Sequence, residues 1–244
     1  MQALGIDVGG TGIKAAPVNL DTGERVAKRK RILTPQPATP KACYRVFDEL
    51  VEHFEWEGPI GCAVPAVVRN GVVCTAANID DKWIGRDAQS DLEGRYGVPV
   101  VILNDADAAG IAEQRFGAAG QLSGTVLLLT LGTGIGSALF RDGVLVPNTE
   151  LGHLEFKGQD AELYAAARVV NAGLPEREWA VRLNEYLNHV DDLLSPDHII
   201  LGGGISKNFD AFSDLLDTNA TIRPARFRNR AGIIGAALAT EGAS

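Results

Sequence analysis

Apolar and polar positions along the chain follow two different periods, which predict strands in some stretches and helices in others. The first apolar run, 4–8, is short and continuous like a buried strand, and a glycine turn follows it. Residues 13–18 extend again after the turn instead of starting a helix. Apolar residues of 41–55 fall on one helical face, so this segment is predicted to be an amphipathic helix.

The same patterns continue along the rest of the chain. Strands are predicted at 60–64 and 99–103 with a loop-rich stretch between them, and a helix is predicted from Asp105 to Gly117. In the second half the predicted elements are a strand at 125–131, a hairpin strand at 137–140, a long helix along 179–194, a strand at 198–201, a short helix, an arginine-rich strand and a last helix from Ala231.

The opening motif occurs twice. The segment Gly132-Thr133-Gly134-Ile135 repeats Gly10-Thr11-Gly12-Ile13 with an offset of 122 residues, which is half of the 244 in the chain. Both copies follow a buried strand and lead into a hairpin pattern. Two halves with the same order of elements predict a duplicated α/β fold.

Composition narrows the class of protein. The 45% apolar and 22% charged residues are typical of a globular protein. A net charge of −8 disfavours binding to nucleic acid or to an acidic membrane, so any polyanion must be held by local positive charge. The three cysteines form no paired motif, which favours a reducing compartment. No apolar run approaches about 18 residues, and we expect a soluble, cytoplasmic protein.

The glycine turns are candidates for binding phosphate. A glycine-rich turn after a strand exposes backbone N–H groups and lets a phosphate approach closely. Two such turns facing across a cleft would hold a polyphosphate, whereas one turn alone is equally typical of ordinary turn chemistry. A Rossmann fingerprint would need a helix directly after the glycines, and a Walker A loop would need a different spacing.

Five motifs occur in order along essentially the whole chain. They are Ile6-Asp7-Val8-Gly9-Gly10-Thr11-Gly12-Ile13-Lys14, Asn104-Asp105-Ala106-Asp107, Leu131-Gly132-Thr133-Gly134-Ile135-Gly136, Glu150-Leu151-Gly152-His153 and Leu201-Gly202-Gly203-Gly204. Together they resemble the repressor/open-reading-frame/kinase (ROK) family of the actin–hexokinase superfamily. The short length and the Gly-Gly-Thr-Gly-Ile-Lys form of the first loop look most like its polyphosphate-dependent glucokinase branch, including the glucomannokinases.

The resemblance implies a fold and an activity. The expected fold is a duplicated actin/hexokinase-like (ribonuclease H-like) α/β fold, with lobes 1–103 and 104–244 around a cleft. The expected enzyme is a homodimeric kinase that transfers a phosphoryl group from inorganic polyphosphate or ATP to the 6-hydroxyl of glucose or mannose, with Mg²⁺. The alternatives are a strictly ATP-dependent hexose or amino-sugar kinase and, in another class, a sugar-sensing regulator.

Asp105 is the candidate general base. It follows a predicted strand at the start of a helix, where α/β folds present side chains to ligands. A sugar hydroxyl must lose its proton as it attacks phosphorus, and a positioned carboxylate can accept that proton. From its position alone Asp105 is more typical of a residue at a helix N-terminus, and Asn104 is equally typical of a sugar contact and of a helix cap. The resemblance implies the catalytic and sugar-binding roles.

Glu150 and His153 are candidate sugar ligands. They lie three residues apart around Gly152, which would let a ligand come close. A carboxylate and an imidazole can together satisfy vicinal sugar hydroxyls, whereas an unrelated surface pair is the alternative that spacing alone favours. The resemblance implies the sugar-binding role.

Further contacts follow from the resemblance. Many members carry a zinc-binding cysteine cluster after the Glu-x-Gly-His motif, and residues 156–180 contain no cysteine, so we expect no zinc. A third acidic sugar contact of the family falls near that missing cluster. Glu162 is the candidate, with Glu155 and Asp160 as alternatives, and Asn78 resembles a sugar-contacting asparagine of the family.

The phosphates are assigned to the glycine motifs. Asp7 would hold Mg²⁺, directly or through water, since Mg²⁺ keeps several waters when it is bound to protein. The candidate phosphate and nucleotide ligands are Asp7, Gly9, Gly10, Thr11, Gly12, Lys14, Thr130, Gly132, Thr133, Gly134, Gly202, Gly203 and Gly204.

Two basic clusters remain. The run 28–31 is typical of a solvated edge strand, where charge prevents edge-to-edge pairing. Arg223, Arg226, Arg228 and Arg230 follow the third glycine cluster and are candidates for a path that holds a polyphosphate chain, because guanidinium groups bind phosphate well. A basic surface strand is the alternative.

Overall fold

A computed structural model describes residues 1–242 of the chain. The strands are β1 (Gln2–Gly9), β2 (Gly12–Asn19), β3 (Lys30–Ile32), β4 (Ile60–Val64), β5 (Val68–Arg69), β6 (Val72–Val73), β7 (Val100–Asn104), β8 (Thr125–Leu131), β9 (Ile135–Arg141), β10 (Val144–Val146), β11 (Glu155–Phe156), β12 (Gln159–Asp160), β13 (His198–Gly203) and β14 (Thr221–Pro224). The α-helices are α1 (Pro40–His53), α2 (Ala88–Tyr96), α3 (Asp105–Phe116), α4 (Ala161–Ala165), α5 (Arg168–Asn171), α6 (Glu176–Leu194) and α7 (Ala231–Leu238).

The chain divides into two compact units. The first consists of Met1–Ala112 and the described part of Arg230–Ser244, and the second of Glu113–Asn229. The boundaries of these units differ from those of the predicted lobes, 1–103 and 104–244. The segment that contains α7 belongs to the first unit because α7 packs on β1 and β4. The chain passes from one unit to the other within α3.

The first unit is built on a five-stranded sheet with the order β3-β2-β1-β4-β7. β1, β2 and β3 are antiparallel neighbours, and β1, β4 and β7 are parallel. The apolar face of α1 packs on this sheet and buries Phe47 and Leu50, as its period predicts. Thr39 begins α1 by accepting a hydrogen bond from the N–H of Ala42.

Glycines let α7 approach the sheet of the first unit with its backbone. A Cβ on Gly61 of β4 would lie 1.7 Å from the carbonyl oxygen of Ala236, and one on Gly5 of β1 would lie 1.9 Å from that of Ile233. On the helix itself, a Cβ on Gly235 would lie 1.6 Å from the Ala108 carbonyl oxygen of α3. Any side chain at these three positions would push α7 out of place.

The second unit repeats this design. Its sheet has the order β10-β9-β8-β13-β14, in which β8, β9 and β10 are antiparallel neighbours and β8, β13 and β14 are parallel. The core between the sheet and α6 contains Trp179, Leu183 and Tyr186, all fully buried. Two sheets with one strand order and one pattern of directions confirm the duplicated α/β fold that the repeated motif predicts.

Two predictions of local structure are wrong. The loop-rich stretch between 64 and 99 contains α2, whose weak amphipathic pattern, with Gly94 inside it, hides the helical period. The arginine-rich strand is also wrong: of the four arginines only Arg223 lies in β14, and Arg228 and Arg230 lie in a 3₁₀ turn before α7. The edge position of β3 confirms the prediction for Lys30 and Arg31.

A buried carboxylate organises the chain near the start of the second unit. Glu113 is fully buried and accepts hydrogen bonds from the N–H groups of Ala118, Arg226 and Phe227, at 2.8, 3.0 and 2.6 Å. These donors compensate the desolvation of the charge, so Glu113 holds the turn after β14 against the end of α3.

Among residues 1–242, no helix has both the length and the uninterrupted apolar character needed to cross a membrane.

Candidate functional site

The first glycine motif forms a tight turn between β1 and β2. Gly9 pairs with Gly12, which leaves Gly10 and Thr11 as the two turn residues. A Cβ on Gly10 would have ordinary contact, 3.6 Å, with the Cβ of Asn78. The structure thus brings Asn78 to the first glycine turn, where it is exposed.

The carbonyl groups of this turn are held by side chains of the segment 31–36. Thr34 donates to the carbonyl oxygen of Gly9, Gln36 to that of Gly10 at 3.5 Å, and Arg31 to that of Thr11 at 2.9 Å. In a planar trans peptide the N–H points opposite to the carbonyl. The N–H groups of Gly10 and Thr11 therefore point away from this segment, as donors to an anion would.

The sequence did not predict that these three side chains contact the first glycine turn. The prolines of 34–37 mark a break in the chain, and the side chains between them carry no recognised motif. Thr34 and Gln36 reach the glycine turn because β3 pairs with β2 beside it, and no sequence motif predicts that pairing.

Asp7 and Lys14 form an ion pair at the same turn. The two residues are directly opposite each other on β1 and β2, and Lys14 Nζ lies 3.0 Å from Asp7 Oδ2. The first turn of α7 approaches from another side, because a Cβ on Gly232 would lie 3.1 Å from Asp7 Cγ. Lys14 and the amino end of α7 both place positive charge at this carboxylate.

The donor set around Asp7 fits a magnesium ion held largely by water and phosphate. Mg²⁺ prefers hard oxygen ligands, commonly one or two carboxylates together with substrate phosphates. Asp7 offers one such carboxylate, only partly exposed, at the turn. Within residues 1–242 no group of three His, Cys, Asp or Glu side chains is arranged to hold a metal, and the expectation of no zinc stays a prediction.

Asp105 lies at the same edge of the first sheet as Asp7. Asp7 is in register with Ala63, and Ala63 with Leu103, two residues before Asp105. Since β4 separates β1 from β7, the backbones of these two strands are about 10 Å apart. Asp7 and Asp105 therefore belong to two strand ends at one edge of the same sheet.

Asn104 caps α3. Its Oδ1 accepts hydrogen bonds from the N–H groups of Ala106 and Asp107, at 2.8 and 3.1 Å, and its Nδ2 donates to the Ala66 carbonyl oxygen at 3.2 Å. The capping role that the sequence allowed is therefore present, and it fixes the backbone at Asp105. A sugar contact by Asn104 stays a prediction.

The second glycine motif connects β8 and β9 in the second unit. The Gly132 N–H donates to the Gly134 carbonyl oxygen at 3.0 Å, and the Arg168 N–H donates to the Gly132 carbonyl oxygen at 3.0 Å. The third glycine cluster adjoins this loop, because Gly203 is in register with Leu131 and has a positive φ of 86°. The structure brings these two motifs together, as a shared phosphate site requires.

Glu162 contacts the second glycine loop. The Ile135 N–H donates to Glu162 Oε2 at 3.3 Å, and a Cβ on Gly134 would lie 2.2 Å from the same oxygen. The charge of Glu162 also acts on both Glu150 and His153. The three predicted residues of the second unit therefore form one cluster.

Neighbouring elements hold the segment that carries Glu150 and His153. Ser137 of β9 donates to the Thr149 carbonyl oxygen at 2.7 Å and accepts from the Leu151 N–H at 3.1 Å. Tyr186 of α6 donates to the Leu151 carbonyl oxygen at 3.1 Å. Both side chains come from the core, so the positions of the two candidate ligands are well defined.

Gly152 has a different role from the one its spacing indicates. It is buried, and a Cβ there would lie 2.2 Å from the Ile135 carbonyl oxygen. The interpretation that Gly152 makes room for a ligand is wrong, because the glycine allows this segment to pack against β9.

Asp160 orients the His153 ring. β11 and β12 form a hairpin whose turn, Lys157-Gly158, has positive φ at both residues, and this hairpin brings Asp160 Oδ2 within 3.0 Å of His153 Nδ1. Because Nδ1 is used by this contact, Nε2 is left for a ligand hydroxyl, to which it donates when the ring is protonated and from which it accepts when the ring is neutral. The sequence offered Asp160 as a sugar contact, and here it is a partner of His153.

The ionisation of this cluster follows from its surroundings. The hydrogen bond to Asp160 raises the pKa of His153, partial burial opposes the shift, and the charges of Glu162 and Glu150 add to it. Burial raises the pKa of the Glu150 carboxyl, the charge of His153 opposes that shift, and Glu162 adds to it. The cluster therefore favours a positive His153 beside acidic groups.

Arg223, Arg226 and Arg228 are exposed residues of the second unit. The Arg226 guanidinium donates to the Phe116 carbonyl oxygen at 3.0 Å and lies over the Phe227 ring. Arg226 thus has a local partner within its unit. A polyphosphate path along these arginines stays a prediction.

Comparison with known proteins identifies the family. Residues 3–166 match the sequence profile of the ROK family, and the chain belongs to this family. It is 48% identical over 241 residues to the polyphosphate glucokinase of Mycobacterium tuberculosis (strain CDC 1551 / Oshkosh), a match that covers 98% of this chain and 91% of the relative.

Solved structures share the fold. The inorganic polyphosphate/ATP-glucomannokinase of Arthrobacter sp. strain KM superposes with a TM-score of 0.91 at 46% identity and covers 96% of both chains. A ROK family glucokinase of Streptomyces griseus, solved with glucose and AMPPNP, superposes with a TM-score of 0.81 at 24% identity, covering 97% of this chain and 98% of that one. The expected actin/hexokinase-like fold is confirmed.

Proposed function

We propose that this protein is a sugar kinase that transfers a phosphoryl group from inorganic polyphosphate or ATP to the 6-hydroxyl of glucose. The observation that carries the proposal is the 48% identity to a polyphosphate glucokinase over 98% of the chain. The likeness to a polyphosphate/ATP-glucomannokinase supports the same pair of donors and extends the proposal to mannose as a second acceptor.

Asp105 acts as the general base. Its carboxylate accepts the proton of the 6-hydroxyl while the sugar oxygen forms a bond to the terminal phosphorus. The bond from that phosphorus to its bridging oxygen breaks, and the shortened polyphosphate, or ADP, leaves with the electron pair. The Asn104 cap supports this role, because it fixes the first turn of the helix on which Asp105 lies.

The sugar is bound by Glu150 and His153, with Glu162, Asn78 and Asn104 as further candidate contacts. Glu150 is partly buried and accepts from one hydroxyl, and His153 Nε2 contacts a neighbouring one while Asp160 holds Nδ1. Such a site selects for the sugar, because an analogue that lacks one of these two hydroxyls leaves the carboxylate or the imidazole without a hydrogen-bond partner.

The phosphates are bound by the N–H groups of the glycine turns and by Lys14. The turn carbonyls held by Thr34 and Gln36 support this role, because the opposite N–H groups are then fixed in direction. Asp7 would hold Mg²⁺, which when bound neutralises charge on the transferred phosphoryl group. Fixed donors and Lys14 stabilise the same charge without reorganisation during the reaction.

The proposal is tested with the purified chain, glucose, Mg²⁺ and either long-chain polyphosphate or ATP. Glucose 6-phosphate is followed with a coupled glucose-6-phosphate dehydrogenase, which reports the position of transfer. We expect glucose 6-phosphate to form with polyphosphate, whether or not ATP also serves as a donor. Product with ATP alone would favour a strictly ATP-dependent kinase, and no product with either donor would contradict the proposal.

Three further expectations belong to the proposal. Activity should be lost in excess EDTA and restored by Mg²⁺, and the purified protein should contain no stoichiometric zinc. The proposed homodimer is tested by light scattering after size-exclusion chromatography, and the proposed cytoplasmic location by fractionation of cells that produce the protein.

A further inference from the structure

A row of charged residues crosses the first three strands of the first unit beside the glycine turn. Asp7 of β1 is opposite Lys14 of β2, and Lys14 is opposite Arg31 of β3. Directly paired residues point to the same face of a sheet. Positive charge therefore continues from Lys14 at the turn to Arg31 on the edge strand, where Arg31 also donates to the Thr11 carbonyl oxygen.

More arginines adjoin this row. Arg29 precedes β3 by one residue, and Arg25 bridges to Val18 of β2. Partial burial lowers the pKa of Arg25, and the charges of Arg230 and Arg29 lower it further. Arg230 comes from the distant end of the sequence, directly before α7, whose first turn lies against Asp7.

The positive charges of Arg29 and Arg230 are unfavourable for that of Arg25. Among residues 1–242, no carboxylate lies within ion-pair distance of Arg25, Arg29 or Arg31. In a chain of net charge −8, such a concentration of positive charge is unfavourable on its own and becomes favourable with a bound polyanion.

We propose that Arg25, Arg29, Arg31 and Arg230, the basic track, bind the part of a long inorganic polyphosphate that extends beyond the first glycine turn. The inference rests on the proposed function, since it concerns the same donor. Polyphosphate carries negative charge on every phosphate, so a chain whose end lies at Lys14 needs positive charge along its continuation. Guanidinium groups suit it because they bind phosphate oxygens in pairs and stay charged.

The basic track differs from the path that the sequence predicts and shares only Arg230 with it. In that path the Arg226 guanidinium donates to the Phe116 carbonyl oxygen, as Arg31 of the basic track donates to that of Thr11, so this contact does not separate the two sets. Arg31 instead adjoins the turn itself, since it is opposite Lys14 and contacts the Thr11 carbonyl oxygen.

The test compares three double variants with the unaltered enzyme. Arg25→Gln/Arg29→Gln removes two charges of the basic track. Arg223→Gln/Arg228→Gln removes two from the path predicted by sequence, and Arg45→Gln/Arg69→Gln removes two exposed charges elsewhere in the first unit. KM is measured for long polyphosphate, tripolyphosphate and ATP at low and high salt, and a thermal melt checks that each variant is folded.

For Arg25→Gln/Arg29→Gln we expect KM for long polyphosphate to rise about 4- to 25-fold, since one exposed charge contact is worth about two- to fivefold. KM for tripolyphosphate and ATP should change much less, and the effect should shrink at high salt. Arg25→Lys/Arg29→Lys should recover most of the affinity.

Other outcomes overturn the inference. An equal rise for all three donors would place the arginines in the shared phosphate site or in folding, and a rise only for Arg223→Gln/Arg228→Gln would favour the other path. An effect as large in the Arg45/Arg69 control would mean that net charge alone matters. If the unaltered enzyme uses ATP but no polyphosphate, the proposed donor fails instead, which is a separate result.

Discussion

His153 Nδ1 lies 3.0 Å from Asp160 Oδ2, so a ring of the candidate sugar site is oriented by a carboxylate on a separate small hairpin. Because this contact uses one ring nitrogen, only Nε2 is left to meet a ligand. The hairpin β11–β12, which carries Asp160, therefore helps to determine which way the ring faces.

The variant Asp160→Asn tests that relationship through pH. The hydrogen bond to Asp160 raises the pKa of His153 above its ordinary value of 6.5, so the pair stabilises the fold below about pH 6.5, and this contribution is lost as pH rises through the raised pKa. We expect the His153 pKa, measured by NMR, to fall in the variant. Both side chains are half exposed, so the lost stability at pH 5.5 should be about 0.2–1 kcal/mol and near zero at pH 8.5.

The control for this prediction is Asp192→Asn, which removes an exposed carboxylate from α6. It should leave the His153 titration unchanged. A His153 pKa that is the same in Asp160→Asn and in the unaltered protein would contradict the assigned role of Asp160.

The variant Asp105→Asn tests the general base. The amide keeps the shape and can still bind a hydroxyl, but it cannot accept the proton, so kcat should fall about 10²–10⁴-fold. Glucose binding, measured by calorimetry, should persist. Asp81→Asn, at an exposed position of the first unit, is the matched control, and more than about a third of normal turnover in Asp105→Asn would exclude the role.

The variant Thr34→Val tests whether the segment 31–36 positions the first phosphate turn. Thr34 is buried, and valine keeps its shape while removing the hydrogen bond to the Gly9 carbonyl oxygen. Leaving that carbonyl without a partner costs about 1–2 kcal/mol, so KM for both ATP and polyphosphate should rise up to about thirtyfold. The glucose Kd should stay within about twofold.

Thr34→Ser provides the rescue, because serine restores the hydroxyl. If Thr34→Val and Thr34→Ser lower donor affinity equally, the packing of the side chain matters and the hydrogen bond does not.

The variant Gly61→Ala tests the close packing of α7. The added Cβ would lie 1.7 Å from the Ala236 carbonyl oxygen, which is backbone and cannot rotate away, so the unfolding midpoint in urea should drop by the equivalent of about 1–3 kcal/mol or more. Gly94→Ala in α2 is the control, with no heavy atom within 4 Å, and should instead stabilise by about 0.5–1 kcal/mol. A harmless Gly61→Ala would show that α7 can move outward without cost.

Much of the fold could be predicted because its signals are local. β4 and β8 match their predicted bounds, since continuous apolar runs bounded by turns have few other interpretations. The repeated glycine motif predicted two equivalent sheets because each copy lies between the same two kinds of strand. α2 was missed because its apolar face is weak. Asp87 and Gly97 mark its two ends, but such end signals do not predict a helix without a periodic pattern between them.

The candidate site was less predictable because its contacts join distant residues. Glu150, His153 and Glu162 were named from motifs, but the pairing of Asp160 with His153 depends on the register of a two-residue hairpin turn. Thr34 reaches Gly9 only because β3 folds back beside the turn. Arg25 and Arg230 are about two hundred residues apart in sequence, and no periodicity relates them.

The packing of α7 also sets an order of events during synthesis. The ribosome completes β1 and β4 early, but the helix that covers Gly5 and Gly61 emerges only after residues 113–229. At about 5–20 residues per second, those 117 residues take roughly 6–23 s. During that interval the face of β1 and β4 lacks the helix that covers it in the folded protein. The unit whose synthesis begins first is therefore the one that is completed last.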